Sequence, residues 1–212
     1  MFLSISQESN RMVEIVLIRH GPTEWNEQKR LQGQSDIPLS AKGRERVKSW
    51  KIPKEFLKFD WVVSPLSRAK ETALLLGVSP SIEPAIIEMD WGNWEGRTGE
   101  ELREIYGKSF GHRKKLGIDL QPEGGESPRK VRERVEEWVL KIASTKKSTG
   151  AVAHQGIIRA MISLATGWNM INPSPERINW DSVHLFTIKK NGLVKIGQLN
   201  ISLNNGKPSN SF

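Results

Sequence analysis

The 212-residue chain contains no cysteine. This absence excludes disulfide bonds, zinc–thiolate sites and a cysteine nucleophile. Long apolar segments are missing as well, since no run approaches the ~20 residues that a membrane-spanning helix requires. The N-terminal stretch MFLSISQESNRM lacks a basic region followed by a long apolar core, so it does not resemble a secretory signal. We therefore expect a cytoplasmic protein with no membrane partner.

Acidic residues are outnumbered by basic ones, 24 to 32, and the net charge is +8. Such an excess favours anionic partners, including phosphorylated metabolites and nucleic acid. A solvated basic surface is the simpler explanation, and no motif interleaves aromatic with basic residues. We expect a small phosphorylated molecule as the partner and no nucleic acid. The densest basic cluster is Arg113-Lys114-Lys115.

Four apolar runs rich in β-branched residues predict strands at 13–18, 59–63, 150–153 and 183–188. Helical patterns lie between them, at 40–50, 66–76, 98–106, 127–147 and 156–166. Strands that alternate with helices predict an α/β fold, a three-layer α/β/α sandwich with a mostly parallel central sheet. The Gly-Leu pair before Val194 indicates a terminal hairpin at one edge of the sheet.

Domain organisation is simple in this sequence, which shows no internal repeat and no long linker. We expect one domain over residues 1–212, with a core at about 13–200 and tails at 1–11 and 203–212. The segment 108–127 is polar and glycine-rich, and we expect it to form a loop above the site. The oligomeric state is unreadable because apolar helix faces could belong to the core, so a homodimer remains open.

Chemically suggestive residues follow three of the predicted strands: Arg19-His20-Gly21, the segment 64–68 with Arg68, and His154-Gln155-Gly156. Ligands of open α/β sheets bind at the carboxyl ends of strands, so these residues could converge on one rim. Arginine matches two phosphate oxygens with a planar fork, and histidine can accept a phosphoryl group. Helix N-termini add backbone N–H donors. The combination predicts a pocket for a phosphoryl group.

Five segments in order closely resemble motifs of the histidine phosphatase superfamily, which includes cofactor-dependent phosphoglycerate mutases and many small-molecule phosphatases. The segments are RHGPTEWNEQKRLQGQSDIPLSAKG, SPLSRAKETA, EMDWGNWEG, PEGGES and AVAHQGIIRA. The likeness covers roughly residues 13–188. It implies a phosphoglycerate mutase-like fold and a reaction through phosphohistidine.

The resemblance also implies a role for each of ten residues. His20 would be the nucleophile, and Glu88 would give a proton to the leaving oxygen. The groups that clamp the phosphoryl oxygens would be Arg19, Arg68 and His154. Asn26 would contact the phosphate. The residues near the substrate would be Thr23, Gln32, Gly33 and Gln155.

No cofactor and no metal is expected, because no close histidine pair has ligand spacing and the flanking arginines would repel a cation. Other candidates for the acid lie near Glu88 in the sequence: Glu83, Glu95, Glu100 and Glu101. Trp91 and Trp94 are interpreted as core or lid residues, and His112 and His184 as non-catalytic.

Three functions remain open. Only 66 positions separate Glu88 from His154, and Arg97-Thr98-Gly99 stands where a mutase lysine is expected, which favours a phosphomonoester hydrolase. The segment 113–115 could instead supply the basic grip of a phosphoglycerate mutase. A non-catalytic phosphate-binding module is the third alternative, although it would not need nucleophile, clamp and acid as a set.

Overall fold

The computed structural model describes residues 12–203, without the side chain of Lys114. The predicted tails therefore lie outside the described residues, except for Leu203. Leu203 is 1% exposed and packs among buried apolar side chains, so the packed part of the chain continues past the predicted limit of residue 200. No helix within 12–203 is both long and apolar enough to cross a membrane.

A six-stranded sheet organises the fold. Its strands are β1 (Val13–Arg19), β2 (Asp60–Val63), β3 (Ser81–Ile82), β4 (Thr149–Ala153), β5 (Ser182–Ile188) and β6 (Val194–Ser202). They lie in the order β3-β2-β4-β1-β5-β6. The first four of these are mutually parallel, whereas β5 and β6 run antiparallel and form the predicted hairpin at one edge. The α/β prediction with a mostly parallel sheet is thus confirmed. The two-residue strand β3 is too short to leave a pattern in the sequence.

Seven α-helices surround the sheet in the described part of the chain. They are α1 (Glu24–Glu27), α2 (Ala41–Lys48), α3 (Ser67–Leu75), α4 (Gly99–Tyr106), α5 (Lys108–Lys114), α6 (Pro128–Thr145) and α7 (Gln155–Thr166). Side-chain caps explain where several begin. Ser40 accepts from the N–H of Gly43, and Ser127 accepts from that of Lys130, with Pro128 as the first residue of α6. Hydroxyl caps and a proline at the first helical position are both favoured at helix N-termini.

The strand β1 is buried on both faces. Ile15 and Leu17 pack with α6 and α7 side chains in one apolar cluster, whereas Val16 and Ile18 pack in a second cluster that includes side chains of α2 and α3. Successive strand residues point to opposite faces, so a strand between two helical layers must be apolar at every position. This is why Ile15 to Ile18 form a continuous apolar run rather than an alternating one, whereas Glu14 near the start of the strand is only partly buried.

The loop prediction for 108–127 is wrong. The segment contains α5 and a 3-10 turn at Gly117–Asp119, and it contributes buried side chains to the core. Phe110 is 4% exposed and contacts the ring of Trp94 edge-on, with the ring centroids 5.4 Å apart. Ile118 and Leu120 are also buried. These apolar residues are too widely spaced in the sequence to produce a recognisable helical pattern.

Candidate active site

A pocket of about 290 Å³ opens at the carboxyl ends of the parallel strands β1, β2 and β4. The residues that line it are Arg19, His20, Asn26, Arg30, Leu31, Gln32, Gly33, Arg68, Glu88, Met89, Trp91, Pro128, Val131, Gln155, Gly156, Arg159 and Met170. The three predicted groups therefore meet at one rim. Of the ten predicted site residues, all but Thr23 and His154 line the pocket itself, and both of these lie directly behind it in contact with lining residues.

His20 is held as a neutral imidazole with one nitrogen free. Its backbone N–H donates to Ala153 O at 3.0 Å, and its ring Nδ1 donates to Gly21 O at 2.7 Å. Burial lowers the pKa of His20 well below its usual value, and the charges of Arg19 and Arg68 lower it further. The proton on Nδ1 leaves Nε2 with a lone pair. A histidine in this state can act as a nucleophile.

Two glycines of the site are required by the packing of neighbouring side chains. A Cβ on Gly21 would lie 2.3 Å from Cγ2 of Val47 in α2. A Cβ on Gly156 would lie 2.3 Å from Oε1 of Glu88. The first glycine lets the turn after β1 pack against α2, and the second makes room for the acid.

His154 is fully buried beside His20, with the ring centroids 5.1 Å apart. Its Nε2 lies 2.6 Å from Oγ of Ser64, and its Nδ1 has no hydrogen-bond partner within residues 12–203. Burial lowers the pKa of His154 well below its usual value, as do His20, Arg68 and Arg19. The lowered pKa favours the neutral imidazole, which can donate to a phosphoryl oxygen only through the nitrogen that carries its single proton.

The two predicted arginines each keep a buried donor unused. Arg68 is 0% exposed and donates to Gly33 O at 2.7 Å and to Ser35 O at 2.8 Å. The guanidinium of Arg19 lies 5.5 Å from the ring centre of Trp180. In both side chains Nε is buried and lacks a partner among the described residues. Burial lowers both pKa values, and Glu88 opposes this shift in each. Arginine nevertheless stays charged, so both side chains are ready for anionic oxygens.

Glu88 is the acidic residue among those that line the pocket. Its Oε1 accepts from the N–H of Met89 at 2.8 Å and from that of Gly156 at 3.1 Å. The carboxylate also raises the pKa of three arginines by its charge: Arg19, Arg68 and Arg159. The four alternative acids considered from the sequence do not line the pocket. Glu88 is thus the acid within reach of a substrate.

Thr23 lies behind the pocket and positions two residues that line it. It is 0% exposed and caps α1 in a reciprocal capping box with Asn26. Its Oγ1 lies 3.1 Å from Oδ1 of Asn26 and 2.9 Å from Oε1 of Gln32. Because both amide oxygens face Thr23, the amide nitrogens of Asn26 and Gln32 are the groups left to donate. Thr23, which was expected near the substrate, thus lies directly behind the lining residues Asn26 and Gln32.

Glu95 folds the loop that carries Gly33, a role that the sequence did not indicate. Its carboxylate accepts from the N–H of Gln34 at 2.7 Å and from the N–H and hydroxyl of Ser35 at 2.8 and 2.5 Å. Gly33 has φ +55, and a Cβ there would overlap the Glu95 carboxylate at 1.8 Å. The carbonyls of Gly33 and Ser35 in turn accept from Arg68, so Glu95 positions Arg68 through this loop.

Arg159 is a lining cation that the sequence reasoning missed. It is exposed at the mouth of the pocket, and it has no hydrogen bond or ion pair to any described residue. Its guanidinium lies 5.9 Å from the ring centre of Trp180, the ring that Arg19 also contacts. A signal did exist in AVAHQGIIRA, because Arg159 lies four residues after Gln155 and therefore on the same face of α7. The walls add an apolar surface that was also missed: Leu31, Met89, Val131 and Met170.

No residue of the segment 108–127 lines the pocket, so the expectation that this segment covers the site is wrong. The guanidinium of Arg113 lies 5.3 Å from the ring centre of Tyr106 instead.

Trp94 is buried in the core and stacks on Trp91, which lines the pocket. Within residues 12–203, no three histidine, aspartate or glutamate side chains are grouped to hold a metal ion.

The chain and its fold are similar to those of known proteins. Residues 15–200 match the model of the histidine phosphatase superfamily, branch 1. The chain is 31% identical over 164 residues to phosphoserine phosphatase 1 of Hydrogenobacter thermophilus, covering 74% of this chain and 77% of that one. It is 33% identical over 132 residues to a probable phosphoglycerate mutase of Salmonella choleraesuis, covering 58% of this chain and 60% of that one. A solved mycobacterial glucosyl-3-phosphoglycerate phosphatase shares the fold, with a TM-score of 0.76 and 23% identity over 90% of this chain and 100% of that one.

Proposed function

The chain belongs to the histidine phosphatase superfamily, and on that premise we propose that it is a phosphomonoester hydrolase that acts on a small phosphorylated metabolite through a phosphohistidine at His20. The observation that carries the proposal is the state of His20. Its Nδ1 donates to Gly21 O at 2.7 Å, so Nε2 is free to attack. Around it lie Arg19 and Arg68, each with a buried Nε that has no partner in the described chain. Such donors suit the oxygens of a phosphoryl group.

In the first step, Nε2 of His20 attacks phosphorus and the bond from phosphorus to the ester oxygen breaks. Glu88, which enters this step in its protonated form, gives its proton to that oxygen, which leaves as an alcohol. The two arginines and the donating nitrogen of His154 stabilise the charge on the equatorial oxygens. Phosphoryl transfer depends mainly on positioning and on such electrostatic stabilisation, and this pocket supplies both.

In the second step, water attacks the phosphorus of phosphohistidine. The carboxylate of Glu88 takes a proton from the water, the bond from phosphorus to Nε2 breaks, and inorganic phosphate leaves. His20 returns to the neutral imidazole with its proton still on Nδ1. The cycle thus ends with each group in its starting state.

A phosphoglycerate mutase is the second candidate, and the identity of 33% to a probable mutase favours it. The basic segment 113–115, which that hypothesis relied on for a grip on the substrate carboxylate, does not line the pocket. Besides Arg19 and Arg68, two further arginines line the pocket. Arg30 is already paired with Glu101 at 3.2 Å, whereas Arg159 has no hydrogen bond within residues 12–203. These contacts favour hydrolysis over the mutase reaction, in which the phosphoryl group is moved to another position of the substrate.

The deciding experiment compares released phosphate from a panel of phosphorylated metabolites with interconversion of 2- and 3-phosphoglycerate. An aryl phosphate assayed in chelator reports on the chemistry itself, and an acid quench should leave acid-labile phosphate on histidine. His20→Ala should abolish turnover while the protein stays folded. Interconversion that is faster than phosphate release would establish the mutase, and an inactive wild type would support the non-catalytic module.

A further inference from the structure

Ser64 holds the buried histidine of the site through one short contact. Ser64 is 0% exposed and directly follows β2, and its backbone N–H donates to Val152 O of the neighbouring strand β4 at 3.1 Å. His154 directly follows β4. The parallel register of these strands places the Oγ of Ser64 2.6 Å from Nε2 of His154. The sheet therefore fixes the position of this hydroxyl.

The direction of that hydrogen bond follows from the other partner of the hydroxyl. Oγ of Ser64 also lies 3.4 Å from the N–H of Leu66, which can only donate. If Nε2 of His154 donated too, the buried hydroxyl proton of Ser64 would have no acceptor among residues 12–203. If Ser64 donates to Nε2, the amide, the hydroxyl and the ring nitrogen are all satisfied. Buried polar groups are satisfied in folded proteins, so Ser64 is the donor.

We propose that Ser64 is a positioning residue that sets the tautomer of His154, so that Nδ1 carries the proton and donates to the phosphoryl group. The inference rests on the proposed function, because it assigns His154 a donor role toward that group. Nδ1 of His154 is buried without a partner among residues 12–203, beside the ring of His20. A phosphoryl oxygen next to His20 is the acceptor that this proton lacks.

The tautomer matters because His154 carries only one ring proton. Burial and the nearby cations lower its pKa well below the usual value, so the imidazole is neutral and is not a donor at both nitrogens. In the other tautomer, Nδ1 would present a lone pair to an anionic oxygen and repel it. His20 also carries its proton on Nδ1, but there the proton is donated to Gly21 O, and the Nε2 lone pair is the group that faces phosphorus.

The tautomer can be read directly in the unliganded protein by long-range ¹H–¹⁵N NMR of labelled histidine, and the chain has only four histidines to assign. Wild type should show a protonated Nδ1 and an unprotonated Nε2 for His154. Ser64→Ala should shift His154 toward a mixture of tautomers, and Ser64→Thr should restore the wild-type spectrum. A wild-type His154 protonated at Nε2 would overturn the proposal even if no variant could be purified.

Kinetics supply the second readout. Ser64→Ala should lower kcat for an aryl phosphate by about 10- to 100-fold, because one oriented donor to the transition state is lost. The matched control is Ser67→Ala, since the Oγ of Ser67 is buried without a partner in the described chain. It should change kcat by less than about 2-fold. Equal kinetics for both variants and wild type would contradict the positioning role.

Inorganic phosphate separates this inference from the proposed function. Added phosphate should move the Nδ1 proton resonance of His154 in wild type, and it should bind more weakly to Ser64→Ala. A wild type that hydrolyses no phosphomonoester yet shows this tautomer and this response would overturn the hydrolase alone. A phosphate-binding wild type whose His154 resonance does not respond would overturn the role of Ser64 alone.

Discussion

The N–H of Gly156 donates a hydrogen bond to Oε1 of Glu88 at 3.1 Å, although 68 positions separate the two residues. The contact joins the start of α7 to the loop that carries the acid. It also leaves no space beside the carboxylate, because a Cβ on Gly156 would lie 2.3 Å from that oxygen. The position of the acid is thus set by a residue that has no side chain.

Gly156→Ala should therefore displace the carboxylate of Glu88 and impair protonation of the leaving oxygen. We expect kcat to fall by about 10-fold or more for alkyl phosphates, which need that proton, and by much less for a p-nitrophenyl ester, whose leaving group does not. Gly99→Ala is the control, since a Cβ there would meet nothing within 4 Å. Similar losses for both ester types would argue against Glu88 as the proton donor.

Arg68→Lys keeps a positive charge but loses the planar fork. Because Arg68 is fully buried and its fork also holds the loop carbonyls of Gly33 and Ser35, we expect kcat/KM to fall about 100-fold, or ~3 kcal/mol of transition-state stabilisation. Arg44→Lys is the control, because Arg44 pairs with Glu71 on the surface, where such pairs contribute little. A lysine variant with wild-type kinetics would reassign Arg68 to a purely structural role.

Stability should fall as the pH drops from about 7 to 5. Burial lowers the pKa of His184 to about 4, and it also lowers the pKa values of His20 and His154 well below the usual value. In the unfolded chain these histidines bind protons near pH 6.5, whereas in the folded protein they stay neutral at that pH. The free energy of unfolding therefore decreases as the pH falls. Denaturant titrations at several pH values measure this. His184→Asn should make the dependence of stability on pH shallower, and a flat wild-type profile would contradict the lowered pKa values of the buried histidines.

Arg159, rather than Arg113, should sense a second anionic group on the substrate. Arg159 lines the mouth of the pocket, whereas Arg113 lies against Tyr106 outside it. Arg159→Ala should raise KM several-fold for phosphoserine or phosphoglycerate with little change in kcat, and should leave an aryl phosphate nearly unaffected. Arg113→Ala is the charge-matched control. Equal losses on all substrates that disappear at high salt would indicate general attraction by the net charge instead.

The sequence predicted what depends on local pattern. The apolar run of β1 indicated a strand buried on both faces, and Ser40 and Ser127 marked helix starts that the structure confirms. The groups after β1, β2 and β4 were expected at one rim because parallel strands end together. Their individual roles came from the family motifs and remain proposals.

The missed features depend on contacts between distant segments. Glu95 interacts with backbone groups of Gln34 and Ser35 about 60 positions earlier, and a backbone partner leaves no signature in side-chain identity. Phe110, Ile118 and Leu120 are scattered through the segment 108–127, so their packing in the core is seen only in the structure. The need for glycine at position 21 comes from Val47 in α2, a neighbour that the sequence around Gly21 does not indicate.

The strand β1 lies in the middle of the sheet, between β4 and β5, and leads directly into the proposed nucleophile His20; Ile15 to Ile18 are 0% exposed. Its amide hydrogens can exchange with solvent only when both helical layers and both neighbouring strands separate, which is close to complete unfolding. His20 is therefore attached to the slowest-opening part of the molecule. Loss of activity on heating and loss of the folded core should be one cooperative event, so the protein should have no partly melted state in which the core survives without its nucleophile.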